Sequence, residues 1–308
     1  MAPSARIHAI DGHGAVTLMA GELSATFLPS LGMLGASLSL NGAEYLSLHT
    51  GIDSYANGHT TGMPLLAPWA NRLSSDAYQV GALSVDLTDA PHVHRDAHGL
   101  PIHGTITADR GWEVVRVASD IRSALLVGRL DYGARPDLLE AFPFPHELIV
   151  EYRLDPTGLT VTTTLRATGR RRVPVSFGWH PYFRLPGVRR PALRLFLPPR
   201  RHLLLDQRGI PTGEGKKLTS ESEPLGSRVF DDLFALGRDR KIGIEGSGRS
   251  IRVVFDRNYG YLQVYAPLGQ NFICLEPMTA PVDGLSSGTC PFVSPGQAFT
   301  ARYSVAVS

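Results

Sequence analysis

LIVEYRLDPTGLTVTTTL, Leu148 to Leu165, decides the fold class. Apolar and polar residues alternate through Leu148–Leu154 and again through Leu159–Leu165, the period of strands with one buried face. Between the two runs stands Asp155-Pro156-Thr157-Gly158, in which proline presets φ and glycine supplies conformations other residues avoid. The stretch is therefore a predicted strand, turn and strand.

Working outward, the same grammar recurs. Ser250–Phe255, Tyr261–Tyr265 and Phe272–Glu276 are further strands, separated by turns at Asp256–Gly260 and Pro267–Asn271, so that Glu276 is expected to end a strand before Pro277. Near the start, Ala15–Met19, Leu23–Leu28, Ala36–Leu40 and Glu44–Leu48 give four more short strands. No apolar stripe of helical period persists, and Asp231–Leu236 is expected to form at most a short helical turn. With 32 glycines and 23 prolines marking turns and no repeat or linker, the expectation is an all-β protein: a large antiparallel β-sandwich of one domain over residues 1–308.

Composition narrows the function. The chain has 308 residues and a net charge of +2, with scattered arginines and no basic surface interleaved with aromatics, which argues against nucleic acid. The start has no basic segment followed by a long apolar core, and no stretch approaches the roughly 20 apolar residues of a membrane helix. A soluble, cytoplasmic protein without a membrane partner is expected. Cys274 and Cys290 are too few for a disulfide framework and read as reduced packing residues.

Four segments carry chemistry. His180, in SFGWHPYFRLPG, and Glu276, in ICLEPMTAP, each sit at an expected strand end before a proline, and a buried carboxylate needs a partner. Imidazole and carboxylate have ordinary pKa values that flank the range useful for proton transfer. PLLAPWANRL places Asn71 and Arg72 after a stiff run, side chains suited to sugar hydroxyls. IHG sets His103 beside Gly104, read as a place where a ligand approaches the backbone. Trp179, Tyr182 and Phe183 can wall a pocket or fill the core.

The segments PLLAPWANRL, IHGTITADRGWEV, SFGWHPYFRLPG, LDQRGIPTGE, FDDLF, YLQVYAP and ICLEPMTAP, in this order, resemble the aldose 1-epimerase (galactose mutarotase) family, over about residues 15 to 305 with a closing SPGQAFTARYSV strand. The resemblance implies a β-sandwich isomerase that interconverts the anomers of a free aldohexose. By similarity His180 is the general acid, Glu276 the general base, and His103 assists near the ring oxygen. By the same resemblance Arg72 with Asn71 and Asp231 bind hydroxyls; the adjacent Asp232 points to the opposite face if the segment is extended, and which of the two acids faces the site is left open. No metal or organic cofactor is implied, and the partner is a monosaccharide. The expected pair faces each other across a gap the width of a pyranose. Met278 and Val282-Asp283 depart from the common pattern and leave the preferred sugar open.

Three other readings compete. A metal-dependent β-barrel enzyme could use His92, His94, His98 and His103. A non-catalytic sandwich could hold a sugar without turning it over. A phosphorylated hexose could use Arg170–Arg172, Arg189-Arg190 or Arg200-Arg201, although these pairs read better as a solvated rim.

Overall fold

In the computed structural model, which describes residues 2–308, the hairpin forms as its sequence requires. Strands His146–Asp155 and Gly158–Ala167 pair in register from Asp155 with Gly158 to His146 with Ala167, and alternate residues are buried. The Asp155 carboxylate accepts the Thr157 amide at 2.7 Å and shapes the two-residue turn. Gly158 is obligatory because a Cβ there would lie 2.4 Å from the Val305 carbonyl oxygen.

This hairpin is central to a nine-stranded antiparallel sheet. On one side it continues through Ala124–Asp131 to Glu113–Ser119. On the other it continues through Ala298–Val307, Arg249–Phe255, Lys241–Gly246 and Arg194–Leu197 to Glu221–Pro224. Packed against it is an eight-stranded sheet that runs from Pro211–Leu218 through Arg200–Leu205, Phe230–Leu236, Tyr261–Ala266, Ile273–Met278 and Gly178–Trp179 to Leu65–Leu66, with Tyr182–Phe183 also on Ile273–Met278. Leu148, Val150 and Val161 from the first sheet meet Leu262, Val264 and Leu275 from the second in one apolar core. A five-stranded meander from Ser4 to Glu44 adds to it, with Phe27 stacked on Tyr152 at 3.9 Å between centroids. No helix among the described residues is long and apolar enough to cross a membrane.

One polar contact pins the two sheets. Thr163 lies on the inner face of the first sheet, where a bare hydroxyl would be costly, and Trp179 Nε1 donates to its Oγ1 at 3.0 Å. Trp179 is thereby fixed toward the core, and strand alternation turns its neighbour His180 to the opposite face.

The structure corrects several expectations. Asp231–Leu236 is extended, within the strand Phe230–Leu236, because Leu233 and Phe234 bury on opposite faces of the sheet. Glu276 does not end its strand, which runs to Met278 with Pro277 opposite Leu262; proline removes only one donor, toward one neighbour. Glu44–Leu48 is not a strand beyond Ala43–Glu44. The Glu44 carboxylate accepts the amides of Leu38 and Leu46 at 2.9 and 2.8 Å and turns the chain.

Candidate functional site

The site lies on the face of the eight-stranded sheet that points away from the core. Along Ile273–Met278, Ile273 and Leu275 enter the core, so Cys274 and Glu276 face outward. Across the ladder Gln263 is opposite Glu276, and on the next strand Asp231 is opposite Tyr265. His180 reaches the same face from the break between Gly178–Trp179 and Tyr182–Phe183. There its amide donates to the Pro64 carbonyl at 3.0 Å.

Two covering segments close the other side. Leu65–Leu66 pairs with Gly178–Trp179, and the chain then carries Asn71 and Arg72 over the sheet. Asn71 and His103 both adopt left-handed backbone, φ 56° and 64°, and the His103 amide donates to the Asn71 carbonyl at 2.9 Å. Non-glycine residues held this way are costly and concentrate at functional sites. Gly104 serves a different purpose from the one expected: a Cβ there would lie 2.0 Å from the Ala67 carbonyl oxygen, so the glycine admits the chain itself rather than a ligand.

These elements enclose a cleft of about 190 Å³ lined by Thr60, Asn71, Arg72, Ile102, His103, His180, Tyr182, Asp231, Tyr265 and Glu276. All six residues singled out in the sequence converge here. On its floor His180 Nε2 lies 3.4 Å from Glu276 Oε1, with His180 6% and Glu276 1% exposed. The two are side by side, not across a sugar's width as expected. The other buried atoms of the pair, His180 Nδ1 and Glu276 Oε2, have no hydrogen-bond partner among the described residues.

Burial governs the charges. It pushes the Glu276 carboxyl well above the usual carboxylate range, with nearby Asp231 adding to the rise and Arg72 opposing it. It pulls His180 down to about 3, and holds His103 well below the usual imidazole range with help from His180 and Arg72. Burial thus disfavours the charged form of each group on the floor. A proton on Glu276 leaves both groups uncharged; the same proton on His180 makes an ion pair.

The walls are held in place by partners. Arg72 Nε donates to Asp96 Oδ2 at 2.6 Å and its Nη1 to Asn71 Oδ1 at 3.2 Å. Gln263 Nε2 donates to Asp231 Oδ1 at 2.6 Å. Asp232, on the core-side face, instead meets His202 Nε2 at 2.8 Å. Tyr182 lies flat on His180 with rings 4.5 Å apart and 7° from parallel, and its hydroxyl meets Thr60 Oγ1 at 2.6 Å.

Sequence reading missed Asp96, Gln263, Thr60 and Tyr265. The last could have been found: in YLQVYAP, Gln263 and Tyr265 alternate with core residues Leu262 and Val264, in register with Cys274 and Glu276. Asp96 sits in a polar loop with no pattern to mark it.

Other candidate groups do not converge. Among His92, His94, His98 and His103, only His103 lines the cleft, while His92 pairs with Asp137 at 2.9 Å. Arg190 and Arg200 are buried, contrary to the solvated rim expected. Arg190 donates to the carbonyls of Gly226 and Ala266 at 2.9 and 2.7 Å, and Arg200 to that of Thr219 at 3.0 Å. Met278 and Val282 pack together with Leu66 and Leu233 in a separate apolar cluster and do not line the cleft.

Comparison with known proteins adds the lineage. The sequence model of the aldose 1-epimerase family matches residues 15–306. A galactose mutarotase-like protein from Clostridium acetobutylicum superposes with a TM-score of 0.88 at 19% identity, covering 100% of this chain and 99% of that one. Galactose 1-epimerase from Lactobacillus acidophilus gives 0.80 at 17% identity, covering 99% of each chain. A putative aldose 1-epimerase from Escherichia coli K12 gives 0.74 at 22% identity, again covering 99% of each. At these identities the superpositions establish a shared fold. Comparison with curated protein sequences gives no significant match.

Proposed function

The chain belongs to the aldose 1-epimerase family, and from that premise we propose that it interconverts the α and β anomers of a free aldohexose by acid/base ring opening and closure. The observation that carries the reading is the buried pair His180–Glu276, 3.4 Å apart on the floor of a cleft walled by Asn71, Arg72 and Asp231.

Opening a hemiacetal removes a proton from the C1 hydroxyl and delivers one to the ring oxygen. Both oxygens hang from the same carbon, so base and acid must be neighbours; groups separated by a whole ring could not serve both. With His180 protonated and Glu276 ionised, Glu276 takes the C1 hydroxyl proton while His180 protonates the ring oxygen. The C1–O bond to the ring breaks, and C1 becomes the aldehyde carbon. Rotation about C1–C2 presents the other face, and the same pair working in reverse closes the ring. No electrons are gained or lost, and the pair ends as it began.

Arg72, Asn71 and Asp231 bind the remaining hydroxyls in this reading, and His103, neutral because it is buried, places a ring nitrogen near the reacting oxygens. The cleft supports a neutral sugar over a phosphorylated one. Arg72 is the only arginine or lysine lining it, and that guanidinium already faces the Asp96 carboxylate. A cleft of about 190 Å³ also falls below the roughly 300–1,000 Å³ typical for drug-sized ligands, which suits one pyranose.

Polarimetry on freshly dissolved α-glucose, α-galactose and α-glucose 6-phosphate tests the proposal. Accelerated equilibration of a free hexose, with a slower phosphate ester, is expected. No acceleration of any sugar would leave the cleft as a binding site only, and fastest turnover of the phosphate ester would replace the substrate class.

A further inference from the structure

Cys274 precedes Glu276 by two residues and shares its face of the strand, yet the proposed reaction makes no use of it. Its Sγ, a ring nitrogen of His180 and a carboxylate oxygen of Glu276 all lie within 4.8 Å of one another, and all three residues are buried. We propose that this trio binds a thiophilic divalent cation, zinc above all, and that the bound ion blocks the acid/base pair. The ion is an inhibitor here, with no part in the reaction.

The donor set fits. Zinc takes sulfur, imidazole nitrogen and carboxylate oxygen together, at about 2.0–2.3 Å in tetrahedral arrangement. Ligand atoms around such an ion fall roughly 3.3–3.7 Å from one another, and the His180 and Glu276 atoms are already 3.4 Å apart. Glu276 Oε2 is buried without a hydrogen-bond partner among the described residues, so a donor atom on the floor is free to take an ion.

Charge also balances. Zn²⁺ with one thiolate and one carboxylate is neutral overall, so burial does not oppose the complex as it opposes a lone ion. The thiol proton, and the carboxyl proton where Glu276 carries one, leave to solvent as the ion binds. Asp231 nearby favours the cation and Arg72 opposes it; Tyr182 and Tyr265 flank Cys274 across the ladder and His103 borders the cleft. Three protein ligands leave a fourth position toward the cleft, where a bound sugar would stand.

Metal binding itself does not depend on the proposed activity, and only the inhibition arm rests on it. Calorimetric titration of the full chain with Zn²⁺ should give one equivalent, and Co²⁺ should produce the near-ultraviolet charge-transfer band of a cobalt–thiolate bond. Cys274→Ser should abolish that band and weaken Zn²⁺ binding at least 10–100-fold while keeping the parent rate of mutarotation. In the activity arm Zn²⁺ should slow mutarotation in competition with sugar, and EDTA should restore it. Absence of a thiolate band in the parent protein, or equal Zn²⁺ affinity in the variant, overturns the site. Metal binding as described in a chain without mutarotase activity would overturn the proposed function and leave the metal site standing.

Discussion

His180 Nε2 stands 3.4 Å from Glu276 Oε1 with both side chains almost wholly buried, so burial acts on the titration of both partners of the proposed acid/base pair. His180 is depressed from 6.5 to about 3, so it gains a second proton only in strong acid. Glu276 is raised well above 4.5, so the pair's last proton persists above the ordinary carboxylate range. The working one-proton state thus extends to the acid side of neutrality. The expected kcat/KM for mutarotation stays level through roughly pH 5 to 7. A tenfold loss per unit starting at about 6.5, the behaviour of an ordinary histidine, would contradict the depressed imidazole.

Removing either proton carrier should abolish most catalysis without unfolding the chain. Glu276→Gln keeps shape and polarity but cannot accept the C1 hydroxyl proton, and His180→Asn removes the partner. Each positioned proton transfer contributes roughly 10²–10⁴ in rate, so polarimetry should show a kcat loss of about that size with a far-ultraviolet spectrum like the parent's. A Glu276→Gln variant that equilibrates α-glucose near the parent rate would refute the base assignment.

The neighbouring acids Asp231 and Asp232 should behave oppositely. Asp231 lines the cleft and is held by Gln263; Asp232 points to the other face and pairs with His202. A hydrogen bond to a charged group contributes about 1.5–3 kcal/mol, so Asp231→Asn should raise KM roughly 10–100-fold with a smaller change in kcat. Asp232→Asn should leave KM unchanged. Equal effects in steady-state kinetics would mean the strand does not present its two faces as described.

Much of this arrangement was legible in the sequence because strand alternation is a strict rule. The hairpin at Leu148–Leu165 announced its buried face, and the rule put Asp231 and Asp232 on opposite faces of an extended chain, but it could not say which face holds the cleft. Where it failed, a side-chain contact outvoted the pattern. Glu44–Leu48 has strand-like composition, but the Glu44 carboxylate takes two backbone amides and bends the chain. Pro277 looked like a stop, yet a strand tolerates one missing donor. The glycine of IHG looked like a ligand's approach and proved to be the backbone's own, since nothing in the sequence reveals that residues 67 and 104 touch. Asp96 was invisible for the same reason: its importance comes from reaching Arg72, 24 residues away.

That reach makes Asp96 a positioning residue. Its Oδ2 accepts from Arg72 Nε, while its Oδ1 accepts the amides of His98 and Leu100 at 2.8 and 3.0 Å. Although burial alone would raise it, Arg72 and these amides hold its carboxyl below the usual range. Asp96→Asn keeps the amide contacts and removes the charge that fixes and neutralises Arg72. The expected result is a KM for free hexose raised several-fold together with tighter inhibition by inorganic phosphate, because the guanidinium is freed to meet an anion. An unchanged phosphate inhibition constant would show that Arg72 keeps its place without its partner.

Trp179 links stability to the site, since its indole pins one sheet to the other and its backbone sets the direction of His180. Trp179→Phe removes the donor to Thr163 Oγ1 and leaves a buried hydroxyl and a small void, with Tyr259 at 3.5 Å a poor substitute. The expected cost is about 2–4 kcal/mol, from the unsatisfied group and the cavity together. Thr163→Val in the parent should also destabilise, by stranding the indole N–H, whereas in the Trp179→Phe background it should cost less or even help. A denaturant-unfolding double-mutant cycle measures this coupling; strictly additive effects of the two substitutions would show that the bond between the sheets contributes nothing to stability.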